Sequence, residues 1–327
     1  MFLTQFYPNR ITISYRKAYT FGHTVDKLLS HSYNKESLKN LGKKKTSLNL
    51  SKTSIRNIRD SILTMYSLSK PRTIQISNKK FIYNYRQSFI TLTLPSLQKH
   101  TDVEIKKCLD RFLTDMRRIY KINNYVWKAE LQKNQNIHFH LVIDKYINYN
   151  SMLFYWNKSI NILGYVDNYS AKMSRLSLNE YALLRKLDIK DCVYSYKKGV
   201  KNDWKQPNSI DVRSVFNSKN VAQYIGNYIA KDNDKDVDLN RVAIFGRIWS
   251  RSTSLSSLKY KNKISYDEIK EYINELISYG TNVKQCVYDY CTVIYVNVDT
   301  LNSKLKKQFN TMLYGNAKLY NYPFNIE

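Results

Sequence analysis

The sequence predicts an α+β protein whose central antiparallel sheet of about five strands is flanked by helices. Short runs of β-branched and apolar residues recur between positions 88 and 249, and amphipathic helical patterns lie between them. Two of these runs, 124–131 and 136–144, are separated only by the polar stretch Q-K-N-Q, which predicts a hairpin that turns around residues 133–135. We therefore expect the strand at 136–144 to be central and the helices to cover one face of the sheet.

The first predicted element is a buried strand, because S-F-I-T-L-T-L at 88–94 is an apolar, β-branched run that ends at Pro95. A helix follows at 102–120, where apolar residues recur at helical spacing and Thr101 can serve as the N-cap. The two hairpin strands come next. The remaining predicted elements are a helix at 152–163, a helix at 177–187, a strand at 209–215, a helix at 217–231, a strand at 242–249, a helix at 266–278, a strand at 287–296 and a helix at 300–313.

The charge of the chain is strongly positive. Among 327 residues, 53 are Lys or Arg and 26 are Asp or Glu, which gives a formal net charge of +27. A field of this strength attracts a polyanion, so nucleic acid is the first partner to consider. An AT-rich coding sequence would also enrich lysine, but it does not explain the shortage of acidic residues.

Several other classes of protein are disfavoured. The four cysteines form no Cys-x-x-Cys pair, which argues against a zinc ribbon or a disulfide framework and suits a reducing cytoplasm. No apolar stretch reaches the roughly 18 residues of a membrane span, and the amino terminus lacks a signal-peptide pattern. A Gly-rich phosphate loop is also missing. We expect a folded, soluble, cytoplasmic protein without a nucleotide-driven motor.

The composition divides the chain into three predicted segments. Residues 1–80 are basic and polar, with K-K-K-T-S at 43–47, and we expect a loosely structured N-terminal extension. Strand and helix patterns then define a central domain at 81–255. Residues 256–327 are predicted to form a C-terminal α/β extension to which the sequence assigns no role.

Two of the five histidines flank one bulky apolar residue in His138-Phe139-His140. On a strand, residues i and i+2 point to the same face, so both imidazoles project together while Phe139 points toward the core. Glu130, on the neighbouring strand, can present its carboxylate to the same point. Two imidazoles and a carboxylate with room for water suit Mn²⁺ or Mg²⁺. The alternative is that both histidines only pack or hydrogen-bond.

A second candidate group lies on the predicted helix at 217–231. Tyr224, Tyr228 and Lys231 occur at i, i+4 and i+7, which places them on one stripe of the helix. A tyrosine hydroxyl can attack a phosphodiester when a metal stabilises the developing charge, and a lysine can hold the phosphate. Packing is the alternative, because a chain with 29 tyrosines contains pairs at this spacing by chance.

Three motifs follow one another along the chain: F-I-T-L-T-L-P at 89–95, H-F-H at 138–140 and Y-I-G-N-Y-I-A-K at 224–231. This order resembles the HUH endonuclease superfamily, in which a hydrophobic residue separates two metal-binding histidines. It is most similar to the rolling-circle replication initiators of small single-stranded DNA phages and related plasmids. The conjugative relaxases, another branch, place their tyrosine before the histidines. The similarity covers about residues 86–250.

The resemblance implies that residues 81–255 are an HUH endonuclease domain with a ferredoxin-like or RNA-recognition-like core. Such an enzyme nicks a replication origin, joins a tyrosine to the 5′ phosphate, leaves a 3′ hydroxyl primer and rejoins the ends. The implied partners are single-stranded DNA at the origin, a host helicase and a polymerase in the cytoplasm of a bacterial cell. The implied site residues are the metal ligands His138 and His140, the third ligand Glu130, the alternating nucleophiles Tyr224 and Tyr228, and the motif lysine Lys231.

A strand of DNA needs basic residues for its backbone and aromatic residues on which its bases stack. Trp127 and Trp156 are candidates for stacking or for core packing. The candidate DNA contacts are Thr91, Thr93, Arg247 and Arg251. Two other functions stay open, namely a transposase or relaxase that uses the same site on another DNA, and a non-catalytic basic DNA- or RNA-binding protein.

Overall fold

Strands and helices alternate along the chain in a computed structural model that describes residues 2–7, 10–15, 50–69, 72–215, 244–257, 263–279, 283–289 and 291–314. The strands are β1 (Phe2–Tyr7), β2 (Arg10–Tyr15), β3 (Arg72–Ser77), β4 (Lys80–Tyr85), β5 (Gln87–Leu92), β6 (Tyr125–Leu131), β7 (Ile137–Ile143), β8 (Ile210–Val215), β9 (Trp249–Arg251), β10 (Lys263–Ser265), β11 (Val283–Tyr288) and β12 (Cys291–Val296). The helices are α1 (Lys52–Leu68), α2 (Asp102–Tyr120), α3 (Tyr149–Asn161), α4 (Tyr165–Met173), α5 (Leu178–Arg185), α6 (Ile189–Lys201), α7 (Thr253–Ser257), α8 (Tyr266–Ser278) and α9 (Ser303–Tyr314). The chain divides into two compact units, Lys45–Leu255 and the pair of segments Met1–Lys44 and Ser256–Glu327.

The sheet of the first unit is antiparallel, and its described strands follow the order β8-β5-β7-β6-β9. The fold is therefore α+β, and the histidine-bearing strand β7 is central, which confirms both predictions. One face of this sheet packs against α2 and α3. The buried side chains of this core include Ile90, Leu92, Phe112, Phe139, Leu141 and Trp156.

Helix α1 packs against the opposite face, which differs from the expectation of helices on one face. Gln87 alternates with Ile90 along β5, so their side chains point to different faces. The buried Gln87 donates from Nε2 to the carbonyl oxygen of Ile62 in α1 at 3.1 Å. Arg251 of β9 donates to Ser61 Oγ of the same helix at 2.7 Å.

Local signals define the two elements that frame the histidines. Helix α2 begins with a capping box, in which the Thr101 amide donates to Glu104 Oε2 at 2.8 Å and the Glu104 amide donates to Thr101 Oγ1 at 3.3 Å. The turn between β6 and β7 is closed by the Gln132 amide, which donates to the Asn136 carbonyl oxygen at 2.8 Å. These contacts confirm the predicted helix at 102–120 and the predicted hairpin.

Two predicted strands have different bounds. In the predicted strand at 242–249, the described residues pair only from Trp249 onward. The Phe245 amide instead donates to Asp102 Oδ2 at 2.8 Å, and Gly246 has a φ of 81°, so this backbone is held at the start of α2. The predicted strand at 287–296 includes a turn, because Tyr288 and Cys291 face each other as the last pair of the β11–β12 hairpin.

The predicted N-terminal extension contains regular structure. Strands β1 and β2 pair with each other and, through β10 and β12, with strands of the C-terminal segment. Helix α1 buries residues at i, i+4 and i+7. The residues that carry these periodic patterns are Thr4, Phe6, Ile11 and Ile13 in the strands and Ile58, Ile62 and Met65 in the helix. The patterns are short and lie among many polar residues, which hides them in the sequence.

The other helices agree with the sequence to within a few residues. Helices α3, α5, α8 and α9 correspond to the predictions at 152–163, 177–187, 266–278 and 300–313. Helices α4 and α6 were not predicted. The predicted helix at 217–231 lies outside the described residues.

Candidate metal centre

Three side chains that can bind a metal ion meet on β6 and β7. Glu130 lies directly across the strand pair from His138, and His140 follows two residues later on the same face. One ligand atom of each residue lies within 4.8 Å of the other two. Oε2 of Glu130 is 3.4 Å from Nε2 of His138 and 3.1 Å from Nε2 of His140. The prediction that these three residues share one face is confirmed.

The donor set fits a divalent cation. Both imidazoles direct Nε2 toward the same carboxylate oxygen, and imidazole nitrogen with carboxylate oxygen suits ions such as Mn²⁺. The side chains of Glu130 and His138 are each 15% exposed, so water and a small ion can reach the group. The three residues therefore form a group that can hold a metal ion.

Phe139 anchors the centre from behind. Its side chain is 0% exposed and points away from the histidines into the core. Its ring meets Trp127 at 6.0 Å and Trp156 at 6.3 Å between centroids, in edge-to-face geometry. Packing on this side fixes the backbone of β7 and so fixes the direction of both imidazoles.

Strand β5 positions the ring of His140. Thr91 lies opposite His140 in the register, and its Oγ1 is 3.2 Å from His140 Nδ1. Phe89 stacks on the same imidazole at 5.5 Å with 13° between the planes. An imidazole that binds a metal through Nε2 carries its proton on Nδ1, and a hydroxyl can accept that proton. Thr91, predicted as a DNA contact, is therefore placed to orient a ligand.

Lys128 is a member of the site that the sequence analysis missed. Its side chain is only 6% exposed, and its Nζ contacts Oε1 of Glu130. Glu130 thus uses one oxygen for the lysine and the other for the histidines. The signal was available, because residues two apart on a predicted strand share a face.

The charges of the site favour the forms that bind metal. Burial opposes ionisation of Glu130, but the hydrogen bonds with His138 and His140 and the charge of Lys128 outweigh it and lower the pKa of the carboxyl well below its usual range. Burial also lowers the pKa of His140, against the opposing effect of the Glu130 carboxylate. A carboxylate and a neutral imidazole are the protonation states that a metal requires.

The metal-binding group lies inside a stretch of the chain that matches a known family. Residues 87–233 match the family model of replication-associated protein ORF2. The match to this replication-associated family covers less than half of the chain. It begins with β5 and includes all three metal-binding residues.

Other comparisons add no relative, since no curated protein and no solved structure matches the chain significantly. The match to the replication-associated family extends over Tyr224, Tyr228 and Lys231, which lie outside the residues that the structure describes. Among the helices that are described, none combines the length and apolar character needed to cross a membrane.

The predicted DNA contacts other than Thr91 have different environments. Thr93 donates from Oγ1 to the Ser209 carbonyl oxygen at 3.0 Å and so links β5 to the segment before β8. Arg251 is half-buried and bonded to α1, whereas Arg247 is exposed. Trp127 and Trp156 lie in the core, which favours packing over stacking for both residues.

Substitution of Glu130 tests the electrostatics of the centre. A lowered pKa in the folded state contributes stability that is complete above the unfolded value of about 4.3 and is lost as the pH falls through the folded value. We therefore expect metal-free wild-type protein to lose stability in acid more steeply than Glu130→Gln, by at most about 1.4 kcal/mol per pH unit. Urea unfolding between pH 7 and pH 3 measures this, and parallel curves for the two proteins would contradict it.

Substitution of Lys128 removes the charge that balances the carboxylate. Lys128→Met is expected to destabilise the metal-free protein by about 3 kcal/mol, because it leaves the buried Glu130 without its lysine partner. Added Mn²⁺ should then raise the melting temperature more in this variant than in wild type, since the cation replaces the lost charge. Lys205→Met is the control, because Lys205 pairs with Asp203 at 3.6 Å on an exposed surface. Equal stability of the two variants without metal would contradict the assignment.

Proposed function

We propose that this chain is a replication initiator that cuts and rejoins single-stranded DNA at a replication origin. Two observations support the proposal. Residues 87–233 match the replication-associated family, and the Glu130, His138 and His140 group lies within that match on the central strands of the sheet. The second observation carries the catalytic part, because an open group of two imidazoles and a carboxylate suits chemistry on a phosphodiester.

His138, His140 and Glu130 would hold Mn²⁺ or Mg²⁺, and the bound cation would polarise a phosphate oxygen and stabilise developing negative charge. Lys128 and Thr91 would keep Glu130 and His140 in the orientation needed to bind it. Phe139 would hold the strand in place from the core side.

Tyr224 and Tyr228 would act as the nucleophiles. The hydroxyl oxygen of one tyrosine attacks phosphorus and loses its proton, a P–O bond to tyrosine forms, and the bond from phosphorus to the 3′ oxygen breaks. The 3′ oxygen takes up a proton and becomes the primer end, while the 5′ phosphate stays on the tyrosine. Attack by a 3′ hydroxyl reverses these steps and rejoins DNA. Lys231 would contact the phosphate.

The surroundings of this reaction follow from the same proposal. Residues 81–255 would be an HUH endonuclease domain, with residues 1–80 and 256–327 as extensions. A host helicase would expose the strand, and a host polymerase would extend the 3′ hydroxyl in the cytoplasm of a bacterial cell. The positive charge of the chain, +27, suits a DNA partner.

A covalent adduct tests the proposal. The full chain is incubated with origin-bearing single-stranded DNA and Mn²⁺, and a protein–DNA band that survives denaturing electrophoresis is expected. Tyr224→Phe/Tyr228→Phe should remove the band. The control is Tyr165→Phe/Tyr169→Phe, a second pair at the same spacing, in which the buried Tyr165 lies in the core.

The outcomes separate the candidate functions. A band that persists without both Tyr224 and Tyr228 would exclude these residues as the nucleophiles. Binding to DNA without any adduct would favour a non-catalytic DNA-binding protein. An adduct that forms on transfer or transposon ends, and not on an origin, would favour a relaxase or a transposase.

A further inference from the structure

Strands β3 and β4 form a hairpin, residues 72–85, which we name the basic hairpin. Within the described part of the chain, these two strands pair only with each other. Every described side chain from Arg72 to Tyr83 is exposed, except that of Ile74, which is half-buried. A two-stranded hairpin gains little stability alone, and exposed apolar side chains on such an element indicate a binding surface.

The basic hairpin is fixed at its base. Tyr85 is 1% exposed, and its hydroxyl contacts Ser88 Oγ and donates to the Lys145 carbonyl oxygen at 3.0 Å. The next residue, Arg86, donates to the Ser69 carbonyl oxygen at 2.9 Å and lies over the Tyr66 ring at 4.6 Å. The hairpin therefore projects from a rigid attachment immediately before β5, the strand that carries Thr91.

Two aromatic rings lie side by side on the basic hairpin. Phe81 and Tyr83 are two residues apart on β4, so both rings project from the same face. Their centroids are 6.3 Å apart with 31° between the planes. Phe81 is 44% exposed and Tyr83 is 65% exposed. Two exposed, roughly aligned rings offer faces on which planar groups can stack.

The charge of the basic hairpin is positive throughout. Arg72, Lys79 and Lys80 are exposed, and the segment R-T-I-Q-I-S-N-K-K-F-I-Y-N-Y contains no acidic residue. Lys79 lies in the turn, and Lys80 directly precedes Phe81. Cations beside aromatic faces match a ligand that alternates phosphates with planar bases.

We propose that the basic hairpin is a binding site for single-stranded DNA, in which bases stack on Phe81 and Tyr83 and phosphates contact Lys79 and Lys80. A single strand fits better than a duplex, because paired bases are stacked on one another and expose only their edges. The inference rests on the proposed function, since it adds a contact for the DNA that is cut. The eight residues from Tyr83 to Thr91 span at most about 27 Å, so one strand of DNA can contact both the basic hairpin and the metal centre.

Fluorescence anisotropy of the full chain tests the proposal with labelled oligo-dT of about 20 nucleotides in buffer that contains EDTA. Phe81→Ala/Tyr83→Ala is expected to weaken binding about tenfold or more, because stacking on two rings is lost. Phe81→Tyr/Tyr83→Phe keeps both ring faces and should bind within about twofold of wild type. Ile76→Ala, on the other face of the hairpin, is the control for an exposed apolar side chain and should bind like wild type.

A duplex of the same length and a salt series complete the experiment. Binding to duplex should be unchanged in Phe81→Ala/Tyr83→Ala, and Lys79→Gln/Lys80→Gln should reduce the slope of log K against log salt by up to about 1.4. Unchanged binding of oligo-dT by the alanine variant, or an equal loss on single-stranded and duplex DNA, would overturn the proposal. Because EDTA removes the metal, a failure here is distinct from a failure to form the covalent adduct.

Discussion

Replacement of His138 and His140 together by alanine is expected to abolish Mn²⁺ binding and to reduce covalent DNA cleavage by about a thousandfold or more. The two rings supply both nitrogen donors of the centre, and of its three residues only Glu130 then remains to hold the ion. Calorimetry with Mn²⁺ measures the loss of binding. Quantification of the protein–DNA adduct measures the loss of cleavage.

His100→Ala is the matched control for the double histidine variant. The ring of His100 meets that of Tyr165 at 5.3 Å, apart from the metal-binding group. This variant should bind Mn²⁺ as wild type does. Undiminished Mn²⁺ binding after loss of both His138 and His140 would show that these histidines pack and hydrogen-bond without holding an ion.

Phe139→Asp is expected to destroy the metal centre without changing any ligand. The substitution places a charge at a position that is 0% exposed, between Trp127 and Trp156. Burial of an unpaired carboxylate in this core should lower the free energy of unfolding by more than about 4 kcal/mol. Urea unfolding and Mn²⁺ calorimetry on the same preparation measure both effects.

Phe154→Asp controls for the introduction of a negative charge. Phe154 is 59% exposed on α3, so this change should leave unfolding and Mn²⁺ binding close to wild type. Phe139→Leu keeps an apolar side chain on the central strand and should retain the metal centre with a smaller loss of stability. Full stability and cleavage by Phe139→Asp would show that this strand is placed differently from the arrangement described.

Local patterns were sufficient to predict the hairpin that carries the site. The alternation at His138, Phe139 and His140 gives one face for ligands and one for the core, and the short turn places Glu130 across from them. Helix α2 was equally predictable, because Thr101 and Glu104 form its capping box. Each of these features depends on residues close together in the sequence.

Contacts between distant residues were not predictable in the same way. Thr91 reaches His140 across 49 positions, and the bond from Gln87 to Ile62 places α1 on the second face of the sheet. A single sequence specifies which strands form better than which of them pair, because pairing depends on tertiary context. Lys128 was missed for another reason, since a lysine on a predicted strand is usually solvated.

The order in which the chain is synthesised bears on the second unit. Strand β2 pairs with β12, and β1 pairs with β10, so strands near the amino terminus wait for partners that emerge from the ribosome more than 240 residues later. At ordinary translation rates this delay is on the order of tens of seconds. The unit that carries the metal centre, Lys45–Leu255, is complete before that time. Nascent chains can therefore fold this unit first, while the strand edges of β1 and β2 depend on chaperones or on each other until translation ends.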